Sequence, residues 1–258
     1  MNKKIAFLVM AVFALLSISL LVGMKSSEEP LSETTDTSFA VVELFTSQGC
    51  SSCPPADRLL TQILKEAEST GKQIIPLSFH VDYWNYLGWK DPYSSSAYSV
   101  RQRTYAQKLQ SGVYTPQMVF NGSEECVGSN KYKVESLITK VRQKQLTHDI
   151  EFEMVYMKEV NAWRVDYEVK GHEKTDKLNV ALVERNIETQ VKRGENHGRK
   201  LHHENVVRKF HVLDLKDAKG SVVLDLPKDF KKKDGYVYLY SQDGRSWAVE
   251  GAARKKLI

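Results

Sequence analysis

The chain lacks most of the patterns that mark a common enzyme. It has no glycine-rich nucleotide loop, no serine-nucleophile elbow and no recognisable carboxylate pair of the glycosidase kind. These absences weaken kinase and hydrolase readings. It has little excess charge: the formal balance is +5, and setting aside Lys3 and Lys4 from the 37 basic residues leaves +3 against 32 acidic ones. That balance points to neither nucleic acid nor an anionic membrane surface as a dedicated partner. It has no internal repeat, and no long apolar run beyond residue 22. Cysteine is scarce, with three in 258 residues, and none lies near the N-terminus, which argues against a lipoprotein anchor.

What is present begins with Asn2, Lys3 and Lys4 ahead of an uncharged apolar run over 5–22. This reads as a signal peptide or an uncleaved N-terminal anchor over 1–23, although no small-x-small cleavage site is clean. Either way the body is expected outside the cytoplasm, periplasmic or secreted, where disulfides persist. Membrane contact is expected only through this segment, if it is retained. Residues 24–37, rich in Ser, Thr and Glu, read as a flexible spacer.

Two of the three cysteines, Cys50 and Cys53, stand two residues apart. An apolar run over 39–45 ahead of them reads as a buried strand. After Asp57, Leu59, Leu60, Ile63 and Leu64 fall at helical spacing. A helix N-terminus offers free N–H groups and the positive end of its dipole, which favour a thiolate. Cys50 is expected to be the exposed nucleophile and Cys53 the shielded resolving thiol. A structural disulfide and a metal site are the alternatives.

A second strand is expected over 74–81, completing a β-α-β unit, then an aromatic loop over 82–93 and a helix over 96–110. His80 and Asp82 end the strand, on the side of the sheet where the thiols are expected. Thiolates and imidazole suit copper or zinc, so Cys50, Cys53 and His80 form the alternative metal set. The plainer expectation is that His80 hydrogen-bonds within the loop and Asp82 caps it. Trp84, Tyr86 and Trp89 either rim a substrate site or pin the loop. Pinning is the favoured reading. Pro116 opens a strand, Asn121-Gly122 turns a hairpin, and 131–145 closes the domain as a helix. Cys126 reads as a buried free thiol.

From 148 to 258 the pattern changes to period two. About seven short strands with turn punctuation read as an antiparallel β-sandwich. Residues 194–208 do not read as a strand and are expected to be a loop docking on the first half. His197, His202 and His203 within it lack a zinc spacing, and adjacent histidines in a strand point to opposite faces.

Three segments carry a resemblance. Glu43 to Asp57 (ELFTSQGCSSCPPAD), His80 to Trp84 with Leu87 to Pro92, and Tyr114 to Gln117 resemble a secreted bacterial thioredoxin-like family of unassigned function. The segment Gly194 to Arg208 resembles another motif of it. The resemblance implies an α/β thioredoxin-like domain over 38–147, ahead of the all-β sandwich that the period-two pattern predicts over 148–258. It implies that Pro116 is a cis-proline facing the thiols and that Thr115 tunes the thiolate. It also implies that Glu43 resembles a buried acid near the resolving cysteine, one residue off the commonest spacing. The activity expected is thiol–disulfide exchange on protein or small-molecule disulfides, with a redox partner and no cofactor. The alternative is a copper- or zinc-binding, or partner-binding, module.

Overall fold

The computed structural model describes residues 38–257, which lie within one compact unit, 36–258. The leader and spacer read from the sequence lie outside the described residues. Among the described residues no helix is long and apolar enough to cross a membrane.

Chain order begins β1 (Phe39–Thr46), α1 (Pro54–Thr70), β2 (Gln73–His80), α2 (Ser96–Lys108), β3 (Gln117–Phe120), β4 (Glu124–Val127) and α3 (Lys131–Val141). It continues with β5 (Asp149–Met157), β6 (Ala162–Lys170), β7 (Lys177–Glu184), β8 (Ile187–Gln190), β9 (Lys200–His203) and β10 (Val206–Asp214). β11 (Lys219–Asp225), β12 (Gly235–Gln242) and β13 (Val249–Lys256) end it.

The expected division into a thioredoxin-like α/β domain and a separate antiparallel sandwich does not form. The protein is mostly β, and its main sheet is mixed and eight-stranded, in the order β13-β12-β7-β10-β2-β1-β3-β4. Strands from both halves share it. β10 runs parallel to β2 through Val206 and Ser78 and antiparallel to β7. Without β10, the edge of the fully buried end of β2 would carry unpaired backbone groups. Of the strands expected to form a sandwich, β11-β6-β5 form a second layer, and β8 and β9 form a two-stranded ribbon. Alternation had indicated which face each strand buries, but it carries no information on the neighbouring strand.

Period two sorts the core. Ala40, Val42 and Leu44 of β1 face α1 and α3, joining Leu59, Leu60, Ile63, Leu137 and Ile138. Val41 and Phe45, with Leu77 and Phe79 of β2, face α2 and meet Tyr98 and Tyr105. β7 is buried on both faces: Ala181 and Val183 join the α2 side, while Leu178, Val180 and Leu182 pack on the β5–β6–β11 layer. Each large aliphatic group buried this way contributes roughly 1.5–3 kcal/mol.

Glu43 shares the α2 face of β1. Its carboxylate takes two hydrogen bonds from Arg101, Nε to Oε2 at 2.6 Å and Nη2 to Oε1 at 2.7 Å. Tyr105 donates to it at 2.6 Å, and Arg101 also reaches Tyr240 and Gln242 of β12. Burial alone would lower the pKa of Arg101, but Glu43 outweighs it and the guanidinium is held charged. Removing one partner of such a pair strands a buried charge. Arg101→Met is expected to cost about 3–5 kcal/mol in urea unfolding, while joining it with Glu43→Leu restores much of the loss. A single variant as stable as the parent would contradict this role.

Candidate functional site at the Cys50–Cys53 turn

β1 ends at Thr46, and residues 47–50 turn into α1. The turn is tied from outside. The N–H of Gln48 donates to Asp91 Oδ2 at 2.8 Å, and Gly49 passes under Trp84, where a Cβ would come within 3.2 Å of the Trp84 Cβ. Cys50 and Cys53 form a disulfide with Cα atoms 5.5 Å apart. Cys53 is the N-cap of α1, and Pro54 fills its first turn, where a missing N–H leaves nothing unsatisfied.

A short donor chain ends on Cys50. Trp84 Nε1–H donates to Thr115 Oγ1 at 2.8 Å, and the Thr115 hydroxyl donates to Cys50 Sγ at 3.3 Å. The indole takes a lone pair of the hydroxyl, so the hydroxyl hydrogen is left for the sulfur. The Thr115–Pro116 bond is cis.

Cys50 is not the exposed nucleophile expected from the sequence: both cysteines have 0% relative exposure. Part of the cover comes from the β8–β9 connection. Asn196, itself fully buried, donates through Nδ2 to the carbonyls of Gln48 (3.0 Å) and Cys50 (2.8 Å). Glu195 Oε2 accepts the Ser51 N–H at 2.9 Å, and that bond lowers the Glu195 pKa and keeps the carboxylate ionised. Arg199 holds Asn196 Oδ1 at 2.9 Å.

His80 and Asp91 form a buried pair, Nδ1 to Oδ2 at 2.7 Å. Burial opposes the charge on each. Asp91 nevertheless raises the His80 pKa, and His80 lowers that of Asp91.

A family model described as a protein of unknown function, DUF1223, matches residues 41–240. The chain belongs to that family. A crystal structure of a protein from Agrobacterium tumefaciens is 28% identical, with a TM-score of 0.62, and the match covers 83% of this chain and 92% of that one. A domain of the outer membrane lipoprotein Omp28 from Porphyromonas gingivalis matches 43% of this chain and 88% of its own at 14% identity, with a TM-score of 0.25, too low to carry an argument. No curated protein matches.

In this DUF1223 member, Cys50, Cys53, Trp84 and Thr115 converge, with Pro116 joined to Thr115 by the cis bond. Glu43 does not join them, because Arg101 holds it on the far face of β1. Asp82 also points elsewhere and accepts from Ser99 Oγ at 2.6 Å. His80 is committed to Asp91 within the loop. Among the described residues no group of three or more His, Cys, Asp or Glu side chains is set to hold a metal ion. Trp84 and Trp89 pin loops, the latter through Gln48 at 3.1 Å, while Tyr86 is exposed. Cys126 is a buried free thiol, its pKa pushed up to about 11 by burial and Glu125. Residues 194–199 dock on the turn as expected, but His202 pairs with Glu204 on the outer face of β9 and His203 points inward beside His80. The sequence raises His203 only within a histidine cluster that lacks a zinc spacing, and for Asp57 and Asn196 it offers no signal beyond a polar residue inside a motif-like stretch.

Thr115→Val removes the donor to sulfur. A hydrogen bond contributes about 0.5–1.5 kcal/mol, so alkylation of Cys50 by iodoacetamide at neutral pH in the reduced protein should slow roughly 2- to 12-fold. An unchanged rate would remove Thr115 from the site. The His80–Asp91 pair also makes stability depend on pH. The raised His80 contribution is complete below 6.5 and is lost as pH rises through its folded value. The lowered Asp91 contribution is present above 3.8 and is lost as pH falls through its folded value. The stability difference between the parent and His80→Gln should therefore peak between these values and shrink on both sides. A flat difference in urea titrations from pH 3 to 9 would contradict it.

Proposed function

We propose that the protein is an exported thiol–disulfide oxidoreductase working through Cys50 and Cys53, with no cofactor. The observation that carries this reading is the disulfide at the start of α1 with the Thr115 hydroxyl donating to Cys50 Sγ. A donor aimed at sulfur stabilises the thiolate that forms when the bond opens.

In the reducing direction, a partner thiolate attacks one sulfur and the other leaves as a thiolate. A second partner thiol then displaces the mixed disulfide. Two electrons enter the Cys50–Cys53 pair, and the partner dithiol becomes a disulfide. Run in reverse, the pair is oxidised and a substrate disulfide is reduced. The substrates proposed are protein or small-molecule disulfides, with a separate redox partner to reset the pair. Export is supported by the basic-then-apolar start of the sequence.

A second reading is favoured by the complete burial of both sulfurs: a binding module stapled by an inert disulfide. Equilibration of the purified, metal-free protein with glutathione and dithiothreitol buffers separates them. The oxidoreductase reading expects a reduction potential between about −120 and −270 mV. A value below roughly −300 mV would sink it in favour of the stapled module.

A further inference from the structure

Four titratable side chains from separate parts of the chain meet beside the first turn of α1, and the exchange step described above uses none of them. Asp57 lies on α1, His80 on β2, His203 on β9 and Asp91 in the loop after β2. The His80 and His203 rings cross edge-on with centroids 4.8 Å apart. His203 Nδ1 lies 3.6 Å from Asp57 Oδ1, too far for a good hydrogen bond. All four side chains are at most 5% exposed.

Their polar atoms are incompletely used. His80 Nε2, both ring nitrogens of His203 and Asp57 Oδ1 are buried without a hydrogen-bond partner, as is Thr46 Oγ1, which lies opposite His80 in the β1–β2 register. Leaving a buried polar atom unsatisfied costs about 1–3 kcal/mol each. A cluster of them at one place is a feature that stability alone disfavours.

Asp57 connects this row to the disulfide. Its N–H donates to the Cys53 carbonyl at 3.2 Å, and residues four apart on a helix share one face. Asp57 also lines a groove of about 350 Å³ with Arg58, Lys200 and His202, which opens the row to solvent. The charged groups facing the row are Asp57 from α1, Asp91 from the loop and Arg208 from β10, while the Tyr93 ring lies against His80.

We propose that Asp57 and His203 form the proton acceptor for Cys53, with the His80–Asp91 pair positioning His203. The inference rests on the exchange function proposed above. In the closing step Cys50 carries a mixed disulfide. The Cys53 thiol gives its proton to the Asp57–His203 pair, and its thiolate attacks Cys50 Sγ. The Cys50–Cys53 bond forms, the Cys50–partner bond breaks, and the partner sulfur leaves with the bonding electron pair. The proton then passes to solvent through the groove.

The test follows reduced full-length protein mixed with oxidised glutathione, by tryptophan fluorescence and acid-quenched mass analysis. The first phase, attack by Cys50, depends on glutathione concentration. The second, ring closure by Cys53, does not. Positioned bases contribute roughly 10²–10⁴-fold in general, and partial replacement by the remaining partner reduces that. His203→Gln and Asp57→Asn should therefore slow ring closure about 10- to 100-fold at pH 6–7 and leave the first phase unchanged. The gap should close above about pH 9, where a free thiol, with a pKa of about 8.5, ionises unaided. The parent protein gives a second readout that needs no variant. Its ring closure should fall less steeply with falling pH than that of an unassisted thiol, which slows about tenfold per pH unit. A tenfold-per-unit fall in the parent, or variants with the parent's pH profile, would overturn the proton-acceptor role alone. Absence of the first phase in the parent would overturn the exchange function, and this inference with it.

Discussion

The structure depends on the seam between β2 and β10. Its contact is small: the Ser78 N–H donates to the Asn205 carbonyl at 2.9 Å, and the Asn205 side chain donates to the Pro76 carbonyl at 2.7 Å. Asn205 holds φ at 48°, the left-handed region that asparagine tolerates better than most residues. Through this seam the strands of the second half continue the sheet of the first, and the β8–β9 ribbon is brought over the Cys-x-x-Cys turn. Asn196 and His203 reach the disulfide region from opposite ends of the β8–β9 connection and β9 because β10 is fixed beside β2.

The two faces of β1 divide the labour. On one, Glu43 and Arg101 tie the sheet to α2 and to β12 in a pair that must stay complete. On the other, Thr46 and the first turn of α1 meet the His80–His203 row. A residue's parity on β1 or β2 therefore decides whether it serves the scaffold or the chemistry. Glu43 and Thr46 are three positions apart and fall on opposite sides of that division.

Much of the site was legible in the sequence, and the reasons are local. The strand before Cys50 and the helix after Cys53 follow from apolar spacing, and Trp84 and Trp89 sit in a loop that needs pinning. The role imagined for Glu43 failed because it depended on the partner across the sheet, and Arg101 lies 58 residues away. The separate sandwich failed for the same reason: the apolar run of β7 records two buried faces but not the strands that lie beside it. The exposure expected for Cys50 failed because its cover, Asn196, is supplied by a polar loop without a period to read.

The second half of the chain closes the site built by the first. Asn196→Ala tests it directly, since it removes two hydrogen bonds to the turn and touches neither sulfur. Reduction of the Cys50–Cys53 disulfide by dithiothreitol, followed by thiol labelling under native conditions, should run about 30-fold faster in the variant, as expected when two contacts of about 1 kcal/mol each no longer oppose local opening. Equal rates in parent and variant would show that this loop does not control access to the disulfide.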